Sequence, residues 1–221
     1  MAQIDILMSP QTVEALQAGG YSLYAFKAMQ LNLVGPSPLV WYRTQSLTTT
    51  TTVAWQETYQ AFISQSPINP GGMITPQATL DVHLGLAIEI ANDGTLSIYG
   101  GGTAGGIDIF NYAVEPWHVG LSQTIGEGLG PMFVLPVYSE QMQTVTPVAR
   151  VLLLITQERM EPGEVMDQAG GPGVFIDFTA GEDQQTVEFD INQGWSWGGG
   201  AWAQAVAPGA DIQALLVQVM G

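Results

Sequence analysis

The chain has 221 residues, 20 of them Asp or Glu and 4 Lys or Arg, for a formal net charge of −16 at neutral pH, and it contains no cysteine. Four scattered cations, Lys27, Arg43, Arg150 and Arg159, cannot neutralise a run of phosphates, so nucleic acid is excluded as a partner, and capture on anionic lipid is weakened for the same reason. The lack of thiols rules out disulfides, thiolate zinc sites and cysteine nucleophiles; stability must come from packing, for which 46% apolar residues suffice.

Only 11% of the residues are charged, against about a quarter in ordinary domains, and Thr, Gln, Ser and Gly stand in their place. Few Lys and Arg also means few sites for trypsin-like proteases, which suits a protein acting outside the cell that makes it. Residues 1–10 carry no basic group ahead of an apolar stretch, so no secretory signal is read there. No apolar run approaches the roughly 18 residues of a spanning helix. The expectation is a soluble protein that is secreted without a signal, released, or present in its mature form.

In chain order, Ser9 followed by Pro10 reads as a helix N-cap and first residue, Val13 and Leu16 supply an apolar face, and Gly19-Gly20 ends the element. A short helix over residues 10–18 is predicted, capping one end of the core within residues 1–20. The period then changes to two. Residues 21–30, 39–46 and 50–64 are aromatic and β-branched, separated by Gly35-Pro36-Ser37-Pro38 and by a run of threonines, as strands and their turns are. Residues 81–90 alternate with large apolar side chains at even positions, Asn92-Asp93-Gly94 makes a turn, and residues 95–99 return as the second strand of a hairpin.

Residues 100–106, with five glycines in seven, read as a loop before a strand at 107–114. Further strands are predicted at 132–138, 147–156, 174–179 and 186–191, the last two joined through residues 180–185. Val151-Leu152-Leu153-Leu154-Ile155 is apolar without alternation, the pattern of a strand buried on both faces. Near the C-terminus Ile212, Leu215, Leu216 and Val219 fit a helix begun by Asp211, while Leu215, Val217 and Val219 fit a strand, which the β-rich context favours. Thirteen prolines and 27 glycines punctuate short runs, so the fold class expected is all-β, a single antiparallel β-sandwich of jelly-roll-like kind with a short N-terminal helix, spanning residues 1–221.

Two segments carry the functional reading. Trp195, Trp197 and Trp202 put three indoles among glycines within residues 194–202; rings of that size are costly to leave in water, so they staple the loop to the core or bind a ligand, a sugar ring or a membrane interface. Thr48, Thr49, Thr50, Thr51 and Thr52 form an uncharged β-branched ribbon that suits a solvent-facing edge, self-association, or the strands of a β-barrel pore.

The other constellations are weaker. Glu188 and Asp190 share a strand face, with Asp177 on the strand expected beside it, as a glycosidase pair requires; Glu182 and Asp183 extend this set toward calcium binding, although no loop of calcium ligands is present. His83 shares the polar side of its strand with Asp81 and Glu89, and His118 follows Pro116-Trp117 in a turn within reach of Glu115. No cofactor, metal or nucleophile motif is present. The function expected is a non-enzymatic, toxin-like or lectin-like binding protein that recognises a glycan or neutral membrane lipid and self-assembles, with a carbohydrate-active enzyme and a structural subunit as the alternatives.

Overall fold

The computed structural model describes residues 1–32, 35–178 and 181–219. The chain is mostly strand, arranged in two sheets with two short helices. It opens with β1 (Ala2–Leu7), where Ile4 and Ile6 are fully buried and Gln3, Asp5 and Leu7 alternate to the other face. α1 (Pro10–Ala18) follows as predicted. The Ser9 hydroxyl accepts the Thr12 amide at 3.1 Å, and Gly20 closes the helix at φ +70°, a conformation open to glycine. Leu16 is fully buried in the main core and Val13 packs against it. Residues 2–7, expected within the cap, are instead a strand held on both sides.

β2 (Ser22–Leu31), β3 (Ser37–Pro38) and β4 (Tyr42–Thr44) come next. The strand expected over 39–46 is thus reduced to three residues. Val40 donates to Glu164 O and Trp41 to Ala25 O, both at 3.0 Å, so the backbone here leaves one sheet for the other. β5 (Thr50–Ser64) has the bounds read from the sequence.

The expected strand over 81–90 is two strands, β6 (Ala78–Val82) and β7 (Leu86–Ile90), in different sheets. The alternation continues across the break because each half buries its own face, while Gly85 at φ +88° turns the chain between them. β7 and β8 (Leu96–Gly101) form the predicted hairpin. The glycine-rich stretch is partly strand, and Gly102 donates to Gly85 O at 2.7 Å where a Cβ would lie 2.6 Å from Leu86 O.

β9 (Ile107–Asn111), β10 (Trp117–Ile125), β11 (Gly128–Val137) and β12 (Met142–Thr156) follow. β9 stops short of the 107–114 expected, β11 and β12 begin earlier than the strands expected at 132–138 and 147–156, and β10, for which no range was expected, takes up His118, read as part of a turn. β13 (Gly173–Asp177), β14 (Gln184–Asp190), β15 (Gly194–Ser196), β16 (Ala203–Val206), α2 (Ile212–Leu216) and β17 (Val217–Val219) complete the chain. Thr179 and Ala180, in the expected strand end and connection, lie outside the described residues. The C-terminal segment is a helix, capped by Asp211, that runs into a strand, so both readings of it hold in succession.

The first sheet runs β15-β14-β1-β5-β10-β11-β3, with β6 also on β5; the second runs β16-β13-β12-β9-β7-β8, with β2 joining β12, β4 and β17. Most pairs are antiparallel, but β1/β14, β7/β9 and β17/β2 are parallel, a departure from the all-antiparallel expectation made possible by long intervening chain. Inward residues of both sheets, among them Ile6, Val53, Leu121, Val187, Ala25, Ile107, Val151 and Leu153, meet in one apolar cluster. Leu152 and Leu154 point to the opposite side of β12, against Ile212 and Leu216 of α2, which explains the unbroken apolar run at 151–155. Among the described residues no helix is long and apolar enough to cross a membrane.

Candidate functional site

The β14–β15 hairpin is built around Asp190. One carboxylate oxygen accepts the amides of Asn192 and Gln193 at 2.9 and 3.1 Å, the other the Thr12 hydroxyl at 3.2 Å, which ties α1 to the turn. The Asn192 amide, with those of Gln193 and Thr12's hydroxyl behind it, holds the Asp190 carboxyl below its ordinary range despite some loss of solvent. Gly194 takes φ +81° as the chain returns.

Register then decides what the hairpin displays. Glu188 stands opposite Ser196 on one face and opposite Leu7 on the neighbouring β1, while Phe189 stands opposite Trp195 on the other face. The result is an open pocket of about 340 Å³ whose rim carries Leu7, Ser9, Glu188, Asp190, Gln193 and Ser196, with Trp195 contributing to its wall. Its size falls in the range of small-molecule sites. Two carboxylates, two hydroxyls and an amide converge on it, next to an apolar side chain.

The three indoles of the expected binding loop do not form one exposed platform. Trp195 is half-buried, edge-on to Phe189 with ring centroids 4.9 Å apart, and donates its N–H to Pro172 O at 3.0 Å. Trp197 donates to Gly200 O at 2.9 Å. Trp202 lies so close over Gly200 that a Cβ there would sit 2.3 Å from its nitrogen, and it lines a separate shallow pocket with Arg150 and Asp177. All three pack against the main core. Trp195 alone of the three reaches the larger pocket.

The threonine run is paired with β1 along one side, from Thr50 to Thr52. Thr50, Thr51 and Thr52 stand opposite Leu7, Ile6 and Asp5 of β1, which β14 flanks on its other side. Met8 donates to Thr49 O at 3.0 Å, Thr48 donates its hydroxyl to Thr50 O at 2.8 Å, and the Thr52 hydroxyl bonds Asp5 at 2.6 Å. Thr51 is buried.

The carboxylates grouped on sequence separate. Asp177 belongs to the second sheet, where Arg150 Nε donates to it at 2.7 Å, whereas Glu188 and Asp190 belong to the first. β13 and β14 are therefore not neighbours, because each pairs within its own sheet. Asp81 and Glu89 likewise fall in different sheets, so His83 shares no face with both; Asp81 accepts Gln60 and Glu89 accepts Ser97. His118 Nδ1 lies 2.7 Å from Ser66 O, at its own strand. Among the described residues no three His, Asp or Glu side chains converge as metal ligands.

Nothing local in the sequence marks Leu7, Ser9, Gln193 or Ser196 as a site residue. The alternation of Gln3, Asp5 and Leu7 against Ile4 and Ile6 carries the signal for a strand, but its place beside β14 is a long-range parallel pairing. In comparison with known proteins, the chain matches no family model, no curated protein and no solved structure.

Proposed function

We propose that the protein is a non-enzymatic, lectin-like glycan-binding protein and that the pocket at the β14–β15 hairpin takes a sugar residue. The observation behind this reading is the convergence of Glu188, Asp190, Ser9, Ser196 and Gln193 around a pocket of about 340 Å³ beside Leu7 and Trp195. Sugar hydroxyls need such acceptors, and the C–H face of a pyranose suits the apolar flank. The two sheets would act as the layers of a jelly-roll-like sandwich, and residues 1–221 as a single domain.

A glycosidase needs one protonated and one ionised carboxyl; Asp190, held ionised by two amides and a hydroxyl, fits only the second role, so hydrolysis here would require Glu188 to supply the first. Pore formation would be an extension of the reading that requires the Thr48 to Thr52 ribbon to leave β1; dye release from vesicles of neutral lipid, with light scattering on the same sample, tests it.

The reading is tested on a broad glycan array, followed by calorimetry on the best ligand. Wild type should retain a glycan, and Glu188→Ala and Ser196→Ala should each weaken it by roughly tenfold, about the loss of one hydrogen bond to a charged group. Absence of any retained glycan, or retention untouched by both substitutions, overturns the assignment.

A further inference from the structure

The outer side of the second sheet carries two apolar patches, separated by polar residues such as Thr144 and Thr146, and α2 covers one of them. Over β2, the end of β12 and β13, the outward Tyr24, Phe26, Leu154 and Phe175 are buried with Ile212 and Leu216 of α2. Over β8, β9 and the start of β12 the same side carries Tyr99, Phe110, Tyr112 and Met142; Tyr99 is 67% exposed, Tyr112 46% and Met142 50%. Exposed aromatic clusters of this kind mark binding surfaces rather than ordinary solvent contact.

Register assembles the cluster. Met142 stands opposite Phe110 and Phe110 opposite Glu89, while the next row places Thr144 opposite Asp108 and Asp108 opposite Ala87. The Phe110 and Tyr112 rings have centroids 4.0 Å apart at 43°, and Tyr99 and Tyr112 are 6.4 Å apart at 48°. These rings, with Met142 and Asp108, line a pocket of about 190 Å³ that no Lys or Arg enters. Asp108 is fixed as an acceptor by the amide and hydroxyl of Thr103 and the hydroxyl of Thr144. The Tyr112 phenol is pushed up by loss of solvent, then by Tyr99 and by the charge of Glu89, so a second carboxylate is felt at the rings.

Aromatic faces and carboxylates together attract a cation. A bare ammonium is strongly hydrated, whereas a methylated one offers apolar surface to the rings and to Met142. A second copy of the chain would bring another net charge of −16 to the same place and be repelled.

We propose that the pocket of Tyr99, Phe110 and Tyr112 binds a quaternary ammonium group, whether of a free methylated amine or of a phosphocholine lipid headgroup. This site is separate from the hairpin pocket and stands independently of the glycan assignment.

Calorimetry with choline chloride, against 3,3-dimethyl-1-butanol as a neutral compound of the same shape and at matched ionic strength, tests it. Choline should bind roughly tenfold or more tightly than the alcohol, the scale of a desolvated cation–π contact. Tyr99→Ala and Tyr112→Ala should each weaken choline about tenfold with unchanged circular dichroism, Tyr112→Phe should retain it, and Glu188→Ala should not affect it. Co-sedimentation with phosphatidylcholine vesicles, but not phosphatidylglycerol vesicles, and release by free choline would assign the lipid headgroup; choline binding without vesicle binding would assign the free amine. Equal affinity for choline and the alcohol, choline binding indifferent to both tyrosine-to-alanine changes, or binding to neither choline nor phosphatidylcholine overturns the proposal. The comparison of choline with the alcohol needs only wild type, so it decides even if a variant fails to fold.

Discussion

The Lys27 ammonium lies inside the main core, 4.8 Å from the ring centroid of Trp55 and 5.6 Å from that of Trp41. Lys27 occupies an inward position of β2, in alternation with Ala25 and Met29. One of only four cations in the chain is therefore buried between two indoles. Burial lowers its pKa from 10.5 to about 8, with the nearby Glu57 charge opposing the shift.

This predicts an unusual pH dependence. Between pH 8 and 10.5 the unfolded chain holds a proton that the folded chain has released, so stability rises with pH across that window. Below pH 8 the full burden of burying the charge remains. Its upper bound is on the order of 3 kcal/mol, part of which the two indole faces return. Lys27→Met should be more stable than wild type at pH 7, and the gap in urea midpoint should close by pH 10.5. A gap independent of pH would show that Lys27 does not titrate in the core.

Gly120 in β10 has no room for a side chain: a Cβ would lie 2.2 Å from Phe133 O and from the Phe62 ring. Gly120→Ala should cost about 3 kcal/mol, at the upper end for overpacking because backbone must move. Gly128→Ala, at the start of β11 with nothing near the new atom, should change stability by less than about 0.5 kcal/mol. Thermal melts of the two variants provide the comparison.

Asp190 links the β14–β15 turn to α1 through Thr12. Its lowered pKa means that the folded state gains from its charge above the ordinary carboxylate range and loses that gain as pH falls through the folded value. Asp190→Asn should lower the melting temperature at pH 7, and wild type and variant should converge once the pH falls below the ordinary carboxylate range and the Asp190 carboxyl protonates. Thr12→Val, which removes one of the three bonds, should have a smaller effect in the same direction.

Trp195 makes two distinguishable interactions, ring against Phe189 and N–H to Pro172 O. Trp195→Phe keeps much of the first and removes the second, for a loss of about 1 kcal/mol. Trp195→Ala removes both and should cost about 3 kcal/mol. Denaturant titration of both variants separates packing from hydrogen bonding, and comparing their glycan affinity with that of wild type shows whether the indole also meets a ligand.

Local chemistry was legible wherever partners lie near in sequence. Ser9, Pro10 and the glycine pair bound α1 because a helix end is satisfied by residues within one turn. The alternation over 50–64 matched β5, and the β7–β8 turn is set by Asn92, Asp93 and Gly94. The unbroken run at 151–155 correctly foretold burial on both faces. Alternation is blind to a change of sheet, however, so 81–90 reads as one strand when Gly85 divides it.

By itself the sequence determined the all-β character, the N-terminal helix and the poverty of cations, since these follow from composition and short-range periodicity. Tertiary structure alone decided that β1 lies between β5 and β14, that Asp177 parts from Glu188 and Asp190, and that the indoles of 195–202 turn to the core. It also placed Lys27 between Trp41 and Trp55 and brought Tyr99, Phe110, Tyr112 and Met142 onto one face. The physical reason is the same in each case: a strand's local pattern specifies which side is apolar, but the identity of its neighbour is chosen by hydrogen bonds and packing between segments far apart in the chain.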